Sequence, residues 1–155
     1  MQTKSVWRQV GELLFLLILV NSIGFIGSLY MTPETQLWYH QLKLSSLTPP
    51  DWIFGVVWSI LFFLMALSMF LVWGRANPRW FVIQLLLNML WSFCFFFLRS
   101  PVLAVISLLF LVFALFMNIR VFFKVSKAAG WLLVPTLLWS LFALYLNMYI
   151  IFEIY

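Results

Sequence analysis

Five long apolar segments limit what this chain can fold into more than any other feature of its sequence. They lie near residues 10–30, 52–73, 80–98, 101–123 and 131–152. Each is close to the ~20 residues that cross a bilayer as a helix, and none shows the period-two alternation of a membrane-barrel strand. We therefore predict an all-α integral membrane protein, a five-transmembrane-helix bundle that forms a single domain over residues 1–155.

Composition supports a membrane location and argues against nucleic acid as a partner. Hydrophobic residues make up 66% of the chain and charged residues 8%, whereas about 25% charged residues is usual in soluble domains. The net charge is +5, but the nine basic residues occur singly or in pairs between apolar runs. They are interpreted as topology signals rather than as a phosphate-binding surface, and no nucleic acid partner is expected.

The basic residues also predict an orientation. Seven of them fall on one side of the predicted helices, and two, Lys43 and Arg99, fall on the other. By the positive-inside rule, the N-terminus is predicted to be cytoplasmic, with the C-terminus and the long loop 31–51 outside. This expectation assumes a bacterial plasma membrane.

Residue types that support catalysis or metal binding are scarce. The chain contains one histidine, His40, one cysteine, Cys94, and four acidic residues. These do not provide a nucleophilic triad or three to four converging metal donors, and a single cysteine forms no intrachain disulfide. We therefore expect no catalytic residues, no metal site and no required cofactor.

The long loop and the start of the second apolar segment form the most informative stretch. A long polar and aromatic loop on a compact bundle is more often functional than idle. Thr48 is predicted to cap the second membrane helix, Pro49 to occupy its first position and Asp51 to complete a capping pattern.

Three of the predicted helices each place a tryptophan on one coherent face. These faces comprise Asp51, Phe54, Trp58, Phe62 and Met65; Gln84, Asn88, Trp91 and Phe95, with Ser92 beside them; and Pro135, Trp139, Ala143, Leu146 and Ile150, flanked by Asn147. One such stripe is often only helix packing, but three together, each with small or polar neighbours, favour a pocket. Gly24 and Ser28 of the first segment are interpreted as a small-xxx-small pair that permits close helix approach.

Four motifs, in conserved order and spacing, resemble the translocator protein family, also called TspO/MBR, tryptophan-rich sensory protein or peripheral-type benzodiazepine receptor. They span the chain from Trp38 to Asn147 and read Trp38-Tyr39, Thr48-Pro49-Pro50-Asp51-Trp52-Ile53-Phe54-Gly55-x-x-Trp58, Gln84-Leu85-x-Leu87-Asn88-x-x-Trp91-Ser92-x-x-Phe95-Phe96, and Pro135-x-x-x-Trp139-x-x-x-Ala143-x-x-x-Asn147.

The resemblance implies a five-helix bundle, often a homodimer, with a pocket near the first loop for porphyrins, sterols and benzodiazepine-type ligands. It implies that Trp58 and Trp139 line the porphyrin site and, in bacterial members, are associated with light-dependent oxidative degradation of protoporphyrin. The further ligand-binding candidates are Tyr39, Pro49, Phe54, Phe62, Trp91, Ser92, Phe95 and Ala143, together with Asn88 as a polar contact or helix lock.

The sequence departs from the family pattern in three places, one of which is Pro135-Thr136, where the fifth helix of the family usually has Pro-Tyr. Residues 44–47 read Leu-Ser-Ser-Leu where the family usually has Lys-Pro-Ser-Trp, which leaves the role of this loop as a lid open. Met148 stands where the cholesterol-recognition pattern of the animal members has a tyrosine, and no basic residue follows Lys127. Sterol binding at the C-terminus is therefore not expected.

The leading hypothesis is a membrane protein that binds tetrapyrroles, such as protoporphyrin IX or haem, as sensor, carrier or scavenger. One alternative is photo-oxidative porphyrin degradation that uses Trp58 and Trp139. Another is a dimerising membrane scaffold whose tryptophans anchor it at the interfaces. The expected partners are a planar apolar small molecule, membrane lipid and a second copy of the chain.

Overall fold

A computed structural model describes residues 5–154, and this part of the chain is helical without any strand. The six α-helices are α1 Val6–Ser28, α2 Pro33–Gln41, α3 Asp51–Leu71, α4 Arg79–Ser92, α5 Pro101–Phe123 and α6 Lys127–Ile154. A π-helical segment, Phe93–Phe97, continues α4 without a break.

Five of these helical segments are long and apolar enough to cross a membrane, which confirms the predicted integral membrane bundle. They are Val6–Ser28, Asp51–Leu71, Arg79–Phe97, Pro101–Phe123 and Lys127–Ile154. Large apolar side chains such as Ile18, Phe110 and Leu138 are exposed on their outer faces. This exposure suits helices whose outer surface meets lipid rather than water.

The predicted loop 31–51 contains a helix, α2, that the segment analysis missed. The nine residues of α2 are too few and too polar to form an apolar stripe. Its local signals are nevertheless present, because Pro33 occupies the first turn and Thr32 Oγ1 accepts a hydrogen bond from the Thr35 amide at 3.3 Å.

The predicted start of the second membrane helix is wrong: Thr48 is not its cap, Pro49 is not its first residue and Asp51 does not complete a capping pattern. That helix, α3, begins at Asp51, and its N-cap residue is Pro50, which makes no side-chain capping bond. The cause is the double proline, because a residue that precedes proline is disfavoured in the helical region, so Pro49 cannot begin the helix. Thr48 instead closes a turn, with its amide donating to the Ser45 carbonyl at 2.9 Å.

The five spanning helices form a closed ring in which α1 packs on α3, α3 on α6, α6 on α5, α5 on α4 and α4 on α1. At the end that carries Arg75 and Lys127, the interior is tightly packed. Ser68 Oγ donates to the Ala129 carbonyl at 2.7 Å, and the rings of Phe81 and Phe122 stack 6.1 Å apart. At the opposite end, the helices separate beneath α2.

Candidate ligand-binding cavity

A cavity of about 640 Å³ lies beneath α2, at the end of the bundle opposite the packed interior. Helices α1, α2, α3, α4 and α6 all contribute to its lining, whereas α5 contributes none of the described lining residues. A cavity of this volume is typical of sites that enclose most of a drug-sized ligand.

One wall of the cavity is a continuous stack of four aromatic rings from α3 and the α4 segment. The ring centroids of Phe62 and Trp58 lie 5.6 Å apart, those of Trp58 and Trp91 5.7 Å, and those of Trp91 and Phe95 6.2 Å. The angles between successive ring planes are 29°, 33° and 21°. We call these four residues the aromatic wall.

Most of the predicted ligand-binding residues line this one cavity. They are Tyr39, Phe54, Trp58, Phe62, Asn88, Trp91, Ser92, Phe95 and Ala143. The structure therefore brings together side chains that come from four separate helices. Their contact with a ligand remains a prediction.

Trp139 and Pro49 are the two predicted site residues that do not line the cavity. Trp139 lies one turn deeper on α6 than Ala143, and its ring packs edge-on against Phe54 with centroids 5.8 Å apart. Trp139 therefore contacts a residue that lines the cavity. Pro49 belongs to the extended segment before α3.

The wall that α1 provides was not predicted as part of a site. Asn21, Gly24, Gly27 and Ser28 all line the cavity. A Cβ atom at Gly24 would lie 2.4 Å from the Phe62 ring, and one at Gly27 would lie 3.0 Å from Ser92 Oγ. The small residues thus permit close helix approach, as interpreted from the sequence, and the same stripe faces the cavity.

Gly24→Ala is expected to destabilise the protein, because the added methyl group would overlap the Phe62 ring. Overpacking of this kind costs about 1–3 kcal/mol. The matched control is Gly11→Ala in the same helix, where a Cβ meets nothing within 4 Å and the better helix propensity of alanine stabilises by up to about 1 kcal/mol. Thermal unfolding in detergent should rank Gly11→Ala highest and Gly24→Ala lowest; equal midpoints would contradict the overlap.

Four contacts hold α2 and the segment after it over the cavity. Thr35 Oγ1 donates to the Phe96 carbonyl at 3.3 Å, and Ser45 Oγ lies 3.1 Å from the Tyr145 hydroxyl. His40 Nε2 lies 3.2 Å from Asp51 Oδ2, and Lys43 forms an ion pair with Glu153, with Nζ 3.4 Å from Oε2. The altered segment 44–47 therefore keeps one tether to α6, because Ser45 is buried and bonded.

The polar chemistry of the cavity is sparse. Burial, and secondarily the charge of Asp51, raises the pKa of Tyr39 from its ordinary 10.0 to about 12, so this phenol remains a neutral hydrogen-bond donor at physiological pH. Within residues 5–154, no group of three His, Cys, Asp or Glu side chains is arranged to hold a metal ion.

The raised pKa of Tyr39 predicts a loss of stability at high pH. The folded protein holds the phenol proton more tightly than the unfolded chain, so this contribution is complete below pH 10 and disappears as pH rises towards about 12. Tyr39→Phe should have a shallower decline in thermal midpoint over this interval. Parallel declines for the two proteins would contradict the raised pKa.

The cavity also opens sideways, between α1 and α3, onto the outer surface of the bundle. Several lining residues of these two helices are exposed, among them Phe25, Ser28, Trp52, Gly55 and Ser59. The hydroxyls of Ser28 and Ser59 donate to carbonyls of their own helices, at 2.7 and 2.8 Å, so they are satisfied without water. We call this opening the lateral portal.

Comparison with known proteins assigns the chain to a family. The model of the TspO/MBR family matches residues 15–152. The chain belongs to the TspO/MBR family. It is 37% identical over 137 residues to the tryptophan-rich protein TspO of Chlorobaculum tepidum, with 83% of this chain and 86% of that protein covered.

Two other TspO/MBR relatives cover comparable portions. The tryptophan-rich protein TspO of Archaeoglobus fulgidus is 35% identical over 131 residues, which cover 76% of this chain and 85% of that protein. The human translocator protein is 32% identical over 127 residues, which cover 76% of this chain and 75% of that protein. The family resemblance predicted from the four motifs is thus confirmed.

Proposed function

We propose that this TspO/MBR protein binds a planar polycyclic ligand of the tetrapyrrole class, as a sensor, carrier or scavenger in the membrane. The aromatic wall is the observation that carries this proposal. Aromatic rings attract one another in offset or tilted arrangements with centroids about 4.5–7 Å apart. A flat, conjugated ligand can therefore continue the stack that runs from Phe62 through Trp58 and Trp91 to Phe95.

The chemistry of the lining suits the large apolar ring system of such a ligand. Among the lining residues, Asp51 is the only carboxylate, and no Lys or Arg takes part. The neutral polar groups, such as Asn88 and Ser92, are few and lie among aromatic side chains. This combination is typical of small-molecule sites in which burial supplies affinity and a few polar contacts fix orientation.

The lateral portal supports access from the bilayer. A lipophilic ligand concentrates in the membrane, and the opening between α1 and α3 lies on the surface that faces lipid. Combined with a cytoplasmic N-terminus, which we infer from the basic residues, the portal would face the outer leaflet of a plasma membrane. Access beneath α2 would instead require release of the contacts that Thr35 and Ser45 make.

The test is a titration of detergent-purified protein with protoporphyrin IX in the dark, followed by tryptophan emission and by the porphyrin absorption band. We expect saturable quenching and a shifted absorption band, because the ligand stacks on Trp58 and Trp91. Empty detergent micelles at equal concentration are the control for partition. The proposal would be rejected if tryptophan quenching rises linearly without saturation and equals the quenching of a membrane protein that has no such cavity.

Photo-oxidative degradation remains a separate hypothesis for the same ligand. Trp58 lines the cavity, whereas Trp139 is not a lining residue and packs edge-on against Phe54, so we expect Trp58 to be the indole closer to a bound porphyrin. Illumination in air with product analysis separates the two functions. If porphyrin is lost at the same rate without protein, degradation is excluded and binding alone remains.

A further inference from the structure

A group of buried polar side chains lies below the cavity, and the proposed function uses none of its inner members. Gln84, Asn118, Thr136 and Ser140 have no measurable solvent exposure, and Asn88 is 3% exposed. Several of their polar atoms have no hydrogen-bond partner within residues 5–154: Gln84 Oε1, Asn88 Nδ2, both Asn118 amide atoms, Thr136 Oγ1 and Ser140 Oγ.

Gln84 and Asn118 lie at the same depth on neighbouring helices. The stacked rings of Phe81 on α4 and Phe122 on α5 fix the relative height of these antiparallel helices. Gln84 follows Phe81 by three residues and Asn118 precedes Phe122 by four, so they lie about 4.5 and 6 Å towards the cavity from the stacked rings.

Thr136 of α6 lies at this depth as well. The α6 backbone at Gly130 meets the Phe123 ring of α5, since a Cβ there would lie 2.5 Å from that ring. Thr136 lies six residues from Gly130 along α6, which is about 9 Å towards the cavity end. Asn118 lies five residues from Phe123 along α5, which is about 7.5 Å in the same direction. Three adjacent helices therefore each contribute one fully buried polar side chain to a single layer.

The layer extends to the cavity floor. Asn88 and Ser140 each lie four residues beyond a member of the layer, about 6 Å closer to the cavity, and Asn88 lines the cavity itself. On the opposite side, the stacked rings of Phe81 and Phe122 close the layer. Within residues 5–154, its one side-chain hydrogen bond to another helix runs from Gln84 Nε2 to Met65 Sδ of α3, at 3.3 Å.

These unpartnered atoms determine what the layer can bind. A polar group buried in hydrocarbon without a partner is destabilising, so such groups are nearly always paired with protein or with ordered water. Here both donors and acceptors are unpaired and none carries a formal charge, which favours a small neutral molecule over an ion. Buried water typically makes about three hydrogen bonds to otherwise unsatisfied groups.

We propose that Gln84, Asn118 and Thr136 form a hydration site inside the membrane-spanning bundle, where ordered water bridges α4, α5 and α6 beneath the ligand cavity. The proposal is independent of the ligand. It predicts that the polar layer stabilises the bundle, whereas a dry layer of unpaired groups would destabilise it.

The first test uses Thr136→Val, which replaces the hydroxyl by a methyl group of similar size. If the layer is hydrated, the substitution removes a hydroxyl that hydrogen-bonds to the bound water. We then expect the midpoint of thermal unfolding to fall by about 2 °C or more. In a dry layer it removes an unsatisfied group, and the midpoint would rise, which overturns the proposal. The control is Ser107→Ala, because Ser107 Oγ bonds only to the Ala104 carbonyl of its own helix.

The second test detects the water in the unsubstituted protein by millisecond radiolytic footprinting. Met65 and Met69 are both buried in α3, and among the hydrogen bonds of residues 5–154 it is Met65 Sδ that accepts one from a member of the layer, Gln84. Water held beside Gln84 should make Met65 oxidise several-fold faster than Met69, and Asn118→Leu should reduce that difference. Equally slow oxidation of Met65 and Met69 would overturn the proposal. That result is expected if Asn118 and Thr136 bond directly to each other and no water lies between them.

Discussion

Trp58→Leu is expected to weaken the binding of protoporphyrin IX by about 30-fold or more, the effect typical of removing a central aromatic anchor from a binding site. Trp58 contacts both Phe62 and Trp91, so its loss interrupts the aromatic wall at the centre. Leucine preserves much of the apolar volume but offers no flat conjugated surface. The dissociation constant from titration in the dark measures the effect.

The control for this variant is Trp7→Leu, which removes an indole that is 86% exposed near the start of α1 and far from the cavity. It should bind as tightly as the unsubstituted protein. Trp58→Phe should lose less affinity than Trp58→Leu, because a smaller ring can still stack. Unchanged affinity in Trp58→Leu, with the protein still folded by circular dichroism, would contradict a site on the aromatic wall.

Gly55→Leu is expected to slow association of protoporphyrin by about tenfold or more, within the range that variants of one binding site usually span. A Cβ at Gly55 meets no atom within 4 Å, so the larger side chain would project into the lateral portal without a clash inside the fold. Dissociation through the same opening should slow by a similar factor, which leaves the dissociation constant nearly unchanged. Stopped-flow quenching in the dark measures both rates.

Gly11→Leu is the matched control, because Gly11 is also a helical glycine with open space around its Cβ position and does not line the cavity. Its association rate should equal that of the unsubstituted protein. If Gly55→Leu and Gly11→Leu bind at the same rate, the ligand does not pass between α1 and α3. The tethers of α2, such as the Ser45 contact with Tyr145, would then be the next elements to test.

The spanning helices could be predicted because their length and apolarity reflect the thickness of the bilayer, a constraint that acts on each segment separately. Helix α2 was missed because its nine residues have no apolar stripe, and tertiary contacts such as that of Thr35 with the Phe96 carbonyl hold it in place. The predicted start of α3 is too early because Pro50 disfavours the helical conformation at Pro49, and this constraint outweighs the capping preference of Thr48.

Helical periodicity predicted which faces turn inward, but not the depth at which the cavity ends. Ala143 and Trp139 share a face of α6, yet Ala143 lines the cavity and Trp139 instead packs against the ring of Phe54. The α1 wall illustrates the opposite case. The sequence predicts Gly24 and Ser28 as packing residues, and no pattern within one helix reveals that both also line a cavity.

The measurement that tests the central claim most directly is an experimental structure of the protein with protoporphyrin IX, prepared in the dark. We predict that the macrocycle lies in the cavity with its plane against Trp58 and Trp91, its edge towards the lateral portal and α2 closed above it. Density for the porphyrin on the lipid-facing surface, with the aromatic wall free of ligand, would contradict the proposed site even if binding in solution were tight.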